Sequence, residues 1–244
     1  MKLTILGNEG PFPSAGGACS GYLIREGSRN ILLDCGNGVL SNLQRFISYE
    51  ELDAIVLTHL HSDHMSDMMV LKYALQIKKN RGLTEKIIDV YAPDEPREEY
   101  NRLDVKEAYN LKTITEDLVL TFGNLKLNFC EVKHPVKCFA VSAENGRKRF
   151  VFSGDTSWNE RIIGFSREAD LLMLDAGLLT RDKTSDDVPH LTAKECGIVA
   201  KEAEAKRLLL THFWPEYDRM ELIKEAKEKF YSVEASELLE TYEI

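Results

Sequence analysis

Ile55-Val56-Leu57-Thr58-His59-Leu60-His61-Ser62-Asp63-His64 places three imidazoles and a carboxylate within six positions, a density that suits metal chemistry. His59 and His61 are two apart, so in extended backbone both rings leave the same face and can grip one ion. Asp63 and His64 are adjacent, which suits a turn that points two donors at a second ion beside the first. Imidazole and carboxylate donors fit zinc, iron or manganese, and the lack of thiolate among them argues against a closed structural zinc site. The plainer reading is a surface loop that happens to be rich in histidine, and the flanks weigh against it. Ile55 to Thr58 is apolar or β-branched and reads as the end of a buried strand over Leu52 to Thr58. Downstream, Met65 to Lys79 repeats apolar residues at helical spacing, Met65, Met69, Tyr73 and Ile77, with Met68, Leu71 and Leu75 beside them. The four donors therefore sit on a strand-to-helix connection.

Other elements repeat that arrangement. Strands predicted at Lys2 to Gly7, Tyr22 to Arg25, Asn30 to Asp34, Ile87 to Tyr91, Leu118 to Phe122, Leu125 to Val132, Phe139 to Ala143, Arg149 to Phe152 and Leu171 to Leu174 alternate with helices at Val39 to Phe46 and after Asp94-Glu95-Pro96. His134, Asp155 and His212 each follow an apolar run, where a sheet can gather residues that are distant in sequence. Asp34 ends the run Ile31-Leu32-Leu33 and either orients a ligand histidine or caps a turn. Asp175 ends Leu171 to Leu174, and His190 lies in a polar loop before Thr192-Ala193-Lys194-Glu195, a capping box that opens a helix bearing Cys196, Val199, Ala200 and Ala203 on one face. A last helix is marked by Leu222, Ile223, Ala226 and Phe230. The loop from Gly7 to Ala18, with four glycines and two prolines, is a binding loop or an ordinary connector.

With 244 residues and no Pro-, Gly- or Ser-rich linker, one domain spanning 1–244 is expected. The formal charge is −9, and clusters such as Arg147-Lys148-Arg149 read as solvated faces, which leans against a large nucleic-acid footprint. Five dispersed cysteines without C-x-x-C spacing indicate neither a disulfide framework nor a thiolate site. No stretch approaches the roughly 20 apolar residues of a membrane span, and none is of signal-peptide type, so a cytoplasmic location with no membrane partner is expected.

His59-x-His61-x-Asp63-His64 followed by His134, Asp155 and His212 resembles the metallo-β-lactamase superfamily of dinuclear metallohydrolases. The resemblance implies an α/β fold, a four-layer αββα sandwich with the site at one edge between two sheets. It also implies two divalent ions, zinc first and manganese or iron as alternatives: His59, His61 and His134 would hold one, Asp63, His64 and His212 the other, and Asp155 would bridge them. Paired ions lower the pKa of bound water to roughly 7, and Asp63, beside that water, is a candidate general base as well as a ligand. His190, the remaining histidine, is either a proton donor to the leaving oxygen or a surface residue.

Within the superfamily, Leu171 to Gly177, His190-Leu191-Thr192 and Lys206 to Pro215 resemble ribonuclease Z and related phosphodiesterases. There a Glu and a His act as a proton-donating pair, and Asp175 and His190 stand in their places. The RNA-gripping arm of that family lies between the third histidine and the bridging aspartate, where only twenty residues separate His134 from Asp155 here. The first loop also carries Pro13-Ser14-Ala15-Gly16-Gly17-Ala18 in place of the family's basic residues. A phosphodiesterase acting on a small phosphodiester or ester rather than on large RNA is therefore expected, with a homodimer implied by resemblance alone. The rival readings are a lactonase or carboxylic ester hydrolase with the same ligands, and a metal-binding module without turnover. A β-lactam substrate is disfavoured because the enzymes that act on one are typically exported.

Overall fold

Apolar runs that are buried on both faces suit strands covered on both sides, and the computed structural model, which describes residues 1–244, arranges them in two sheets. The first holds β1 (Lys2–Gly7), β2 (Gly21–Glu26), β3 (Arg29–Leu33), β4 (Ala54–Val56), β5 (Ile88–Ala92) and β6 (Tyr109–Thr113). The second holds β7 (Leu120–Phe122), β8 (Leu125–Val132), β9 (Cys138–Glu144), β10 (Arg149–Phe152), β11 (Leu171–Asp175), β12 (Leu208–Thr211) and β13 (Val233–Ala235). The final strand, β14 (Thr241–Glu243), returns to pair with β1, so the two seven-stranded orders are 14-1-2-3-4-5-6 and 13-12-11-10-9-8-7.

Strands β3 to β6 are mutually parallel, as are β10 to β13. Parallel neighbours require crossovers, and these carry helices onto the outer faces. Outside the first sheet lie α1 (Val39–Leu43), α2 (Ser62–Met65), α3 (Met68–Asn80) and α4 (Arg97–Arg102); outside the second lie α5 (Arg161–Phe165), α6 (Ala193–Glu202) and α7 (Arg219–Lys227). Three apolar layers result. One, with Ile5, Tyr22, Phe150 and Met173, fills the space between the sheets; the second packs Leu32, Ile55 and Val90 against Leu71 and Leu75; the third packs Leu172 and Leu210 against Val199 and Leu222. This is the expected αββα sandwich.

Topology places the site. β8 and β10 are both antiparallel to β9, so β8, β10, β11 and β12 all point the same way and end at one edge. His134, Asp155, Asp175 and His212 follow or end those strands there, facing Asp34 after β3 and His59 after β4. Open α/β sheets bind ligands at such carboxyl ends.

Local differences from the sequence reading have local causes. The single helix expected over Met65 to Lys79 is two, broken at Ser66 and Asp67, because Asp67 Oδ2 accepts Leu40 N at 2.8 Å while Asp67 N donates to Cys35 O at 3.0 Å. The buried face of α3 is Met68, Leu71 and Leu75, while Tyr73 and Ile77 of the expected stripe are exposed. β6, α5, β13 and β14 were not anticipated; each has three to five residues, too few for a periodic signal. No helix is long and apolar enough to cross a membrane.

Candidate metal centre and active site

Two of the histidines are held by bonds that leave one ring nitrogen bare. Thr58 Oγ1 donates to the Asp34 carboxylate at 2.9 Å, so its oxygen is left to accept from His59 Nδ1 at 3.2 Å, and His59 Nε2 carries a lone pair. His134 Nδ1 donates to the Pro189 carbonyl at 3.2 Å, which leaves its Nε2 bare too. Both nitrogens lie 3.1 Å from His61 Nδ1. Zinc–nitrogen bonds of about 2.0–2.1 Å put tetrahedral donors about 3.3 Å apart, close to this spacing. Burial, with neighbouring His64 among the further causes, pushes His59 well below its ordinary pKa, and burial lowers His61 and His134 as well. All three are thereby kept neutral, the form that donates to a metal.

Beside this trio stand Asp63, His64, Asp155 and His212, whose donor atoms lie within 4.8 Å of one another. Asp34 Oδ2 accepts from His64 Nδ1 at 2.8 Å and Asp34 Oδ1 accepts from Thr58 N at 2.7 Å. Of the two readings of Asp34, the geometry favours the one that orients a histidine: His64 Nε2 is turned toward Asp155 Oδ1 at 3.3 Å and Asp63 Oδ2 at 3.6 Å. His212 Nε2 is 3.2 Å from both Asp63 Oδ2 and Asp155 Oδ2. Asp34 and His212 both adopt left-handed backbone, with φ of 56° and 57°, which costs of order 1–3 kcal/mol each and is typical of sites whose surroundings over-determine them. Burial opposes charge on His64, yet Asp155, Asp34 and Asp63 raise it to about 10. Burial would likewise raise Asp155, but His212 and His64 hold it well below the usual carboxylate range.

Such a cluster of buried carboxylates demands positive charge, and the donor set fits divalent ions. His64 Nε2 and Asp155 Oδ1 are buried 3.3 Å apart and neither makes a hydrogen bond of good geometry, a shortfall that a cation between them would relieve. Because the partners that aim a ligand histidine typically govern metal affinity by about 10–100-fold, Asp34→Asn is expected to weaken metal retention by that factor in a competition titration against a chromophoric chelator. Unchanged affinity in a folded variant would show that packing alone orients His64.

Asp175 and His190 complete the constellation. Asp175 is fully buried; its Oδ1 accepts Gly177 N at 3.0 Å, and its Oδ2 accepts Thr156 N at 3.2 Å and His190 Nδ1 at 2.9 Å. His190 is thus no surface residue: its ring stacks on His212 at 5.1 Å, its Nε2 is left free, and Asp175 raises its pKa against the effect of burial. A cavity of about 370 Å³ opens over His61, Asp63, His134, Asp155, His190 and His212, and Pro11, Ser62 and Pro189 also line it.

All nine sequence-predicted site residues therefore meet at one edge of the sandwich. Three contributors were missed. Thr58 is hidden within the apolar run, the Pro189 carbonyl carries no side-chain signal, and Gly10 acts by what it lacks. A Cβ at Gly10 would overlap His212 Nε2, so the Gly-rich loop is the wall of the site; its glycines were the available signal.

The profile of the beta-lactamase superfamily domain matches residues 29–213, a span that holds every donor from Asp34 to His212, and the chain belongs to this superfamily, in its metal-dependent branch. A probable metallo-hydrolase of Bacillus subtilis, YhfI, is 37% identical over 231 residues, 94% of each chain. Its crystal structure matches with a TM-score of 0.93 at 34% identity, over 99% of this chain and 98% of that one. Ribonuclease Z of Archaeoglobus fulgidus is 24% identical over 94% of this chain and 93% of its own. The short form of human tRNase Z shares the fold at a TM-score of 0.78 and 22% identity, over 100% and 99% of the two chains.

Proposed function

We propose that this protein is a phosphodiesterase that uses two divalent metal ions, zinc first among them, to hydrolyse small phosphate diesters. The observation that carries the reading is the Asp175–His190 pair at 2.9 Å, set beside both donor groups with His190 Nε2 free toward the cavity. His59, His61 and His134 would hold one ion, Asp63, His64 and His212 the other, with Asp155 between them. When bound, the ions would acidify water and offset charge on a phosphoryl oxygen.

The chain's own groups do the rest. Asp63, half-buried at the cavity rim, is placed to orient the attacking water and take its proton. Water oxygen bonds to phosphorus, the ester P–O bond breaks, and His190 delivers a proton from Nε2 to the departing oxygen. Asp175 holds His190 through Nδ1 and steadies its charge. Pro11 and Pro189 narrow the cavity, whose volume is at the small end of ligand sites and whose lining contains no Lys or Arg. The twenty residues between His134 and Asp155 are largely spent on β9 and β10, which leaves no arm for a long RNA.

The test is a parallel assay of zinc- and manganese-loaded protein on bis-p-nitrophenyl phosphate, a lactone panel and a precursor transfer RNA. Diester cleavage without RNA trimming is expected; hydrolysis of lactones alone would overturn the reading. Chelation should silence the activity and lower the melting temperature. An ion at 100 times its dissociation constant stabilises by about 2.7 kcal/mol, which for a chain of this size is roughly 5–10 °C. Re-addition should restore both.

A further inference from the structure

Phe12 is 42% exposed although its neighbour Pro11 lines the cavity. Its ring meets half-buried Trp214 edge to face, with centroids 5.2 Å apart and planes at 84°. Trp214 stands two residues beyond His212. Since consecutive Cα atoms are about 3.8 Å apart, both rings are rooted within about 8 Å of residues that line the cavity. Two large aromatic rings are therefore rooted near a cavity that neither of them lines and whose own surface is histidine, carboxylate, serine and proline. An edge-to-face pair leaves ring face uncovered, and such a face accepts a flat partner by stacking.

The pair is held in place by contacts that do not involve Phe12. Glu9, 5% exposed, accepts Ser14 N at 2.7 Å, Ser14 Oγ at 2.9 Å and an Arg219 guanidinium nitrogen at 3.3 Å. Arg219 in turn lies over the Phe213 ring at 4.8 Å. Gly10 N donates to Phe213 O at 3.1 Å and Phe213 N donates to Asn8 O at 2.8 Å, which ties the loop to the segment after β12. These bonds tie the loop that carries Phe12 to the segment that carries Trp214, an arrangement that favours a preorganised pair.

We propose that Phe12 and Trp214 form an aromatic platform that stacks a flat ring of the substrate, a nucleobase or an aryl group, while the phosphate end lies at the histidines. The phosphate end rests on the phosphodiesterase reading; the platform rests on the two rings. The cavity accounts for recognition of the bond to be cut, and the platform adds selection among phosphodiesters for those carrying an aromatic group.

The chain has two tryptophans, so Trp158→Phe leaves Trp214 as the sole emitter. Its fluorescence is titrated in metal-loaded protein with adenosine 5′-monophosphate, phenyl phosphate and ribose 5-phosphate. Saturable quenching by the ring-bearing phosphates and none by ribose 5-phosphate is expected. Quenching by the adenosine ester alone assigns the platform to a nucleobase, by phenyl phosphate alone to an aryl group, and by both to flat rings in general. Phe12→Leu, which keeps an apolar side chain on an exposed site, should weaken binding of the ring-bearing ligand between about 5- and 160-fold, the range of base stacking on aromatic residues, and Phe12→Tyr should restore it. Ring-independent quenching, or a Phe12→Leu protein that binds like its parent, overturns the platform. If diesters are cleaved without ring-dependent quenching, the platform falls and the activity stands. Ring-dependent quenching in a protein that cleaves no diester keeps the platform and removes the activity reading.

Discussion

Asp63→Ala is expected to lower turnover of any phosphodiester by more than about 10³-fold, because in the proposed mechanism one side chain would serve as metal donor and as proton acceptor. Its Oδ2 lies 3.2 Å from His212 Nε2 and 3.6 Å from His64 Nε2, so truncation removes the carboxylate from the second donor group and from the cavity rim together. Because Asp63 is half-buried and packs in no apolar layer, circular dichroism should be unchanged. His59→Ala should be equally inactive through loss of the three-histidine group. Retained turnover in metal-free Asp63→Ala protein would falsify the metallohydrolase mechanism for this chain.

The second large effect depends on the leaving group. His190→Ala is expected to slow cleavage of alkyl diesters by about 10²–10⁴-fold, the usual worth of a positioned proton donor. On p-nitrophenyl diesters the loss should be below about tenfold, because a nitrophenolate departs without a proton. Asp175→Asn should follow the same pattern. Both Asp175 oxygens accept N–H bonds, so an amide there must aim an N–H at a donor or abandon His190. Equal losses on both substrate types would mean that the pair positions substrate and transfers no proton.

The legible parts of the site were those whose information is local. His59, His61, Asp63 and His64 lie within six residues, and their strand-to-helix setting could be read from the apolar runs on either side. Asp34 was ambiguous because a carboxylate after a strand reads alike as a turn cap or an orienting group; its partners Thr58 and His64 lie 24 and 30 residues away. His190 was ambiguous for the same reason, since its partner Asp175 ends another strand. The stripe on α3 was misjudged because both sides of that helix carry apolar residues. Which side is buried depends on where Asp67 breaks the helix and fastens it to Leu40 and Cys35.

By itself, the sequence determined the donor types, their order along the chain and the apolar runs that make strands, because composition and short-range periodicity follow from residue chemistry and backbone geometry alone. Only the tertiary structure decided which nitrogen of His59 and His134 is bare, that Asp175 reaches His190, that Gly10 must lack a side chain and that Phe12 meets Trp214. Those outcomes depend on hydrogen bonds and ring contacts between segments up to about two hundred residues apart. Such contacts are set by sheet order and crossover geometry, which no local pattern encodes.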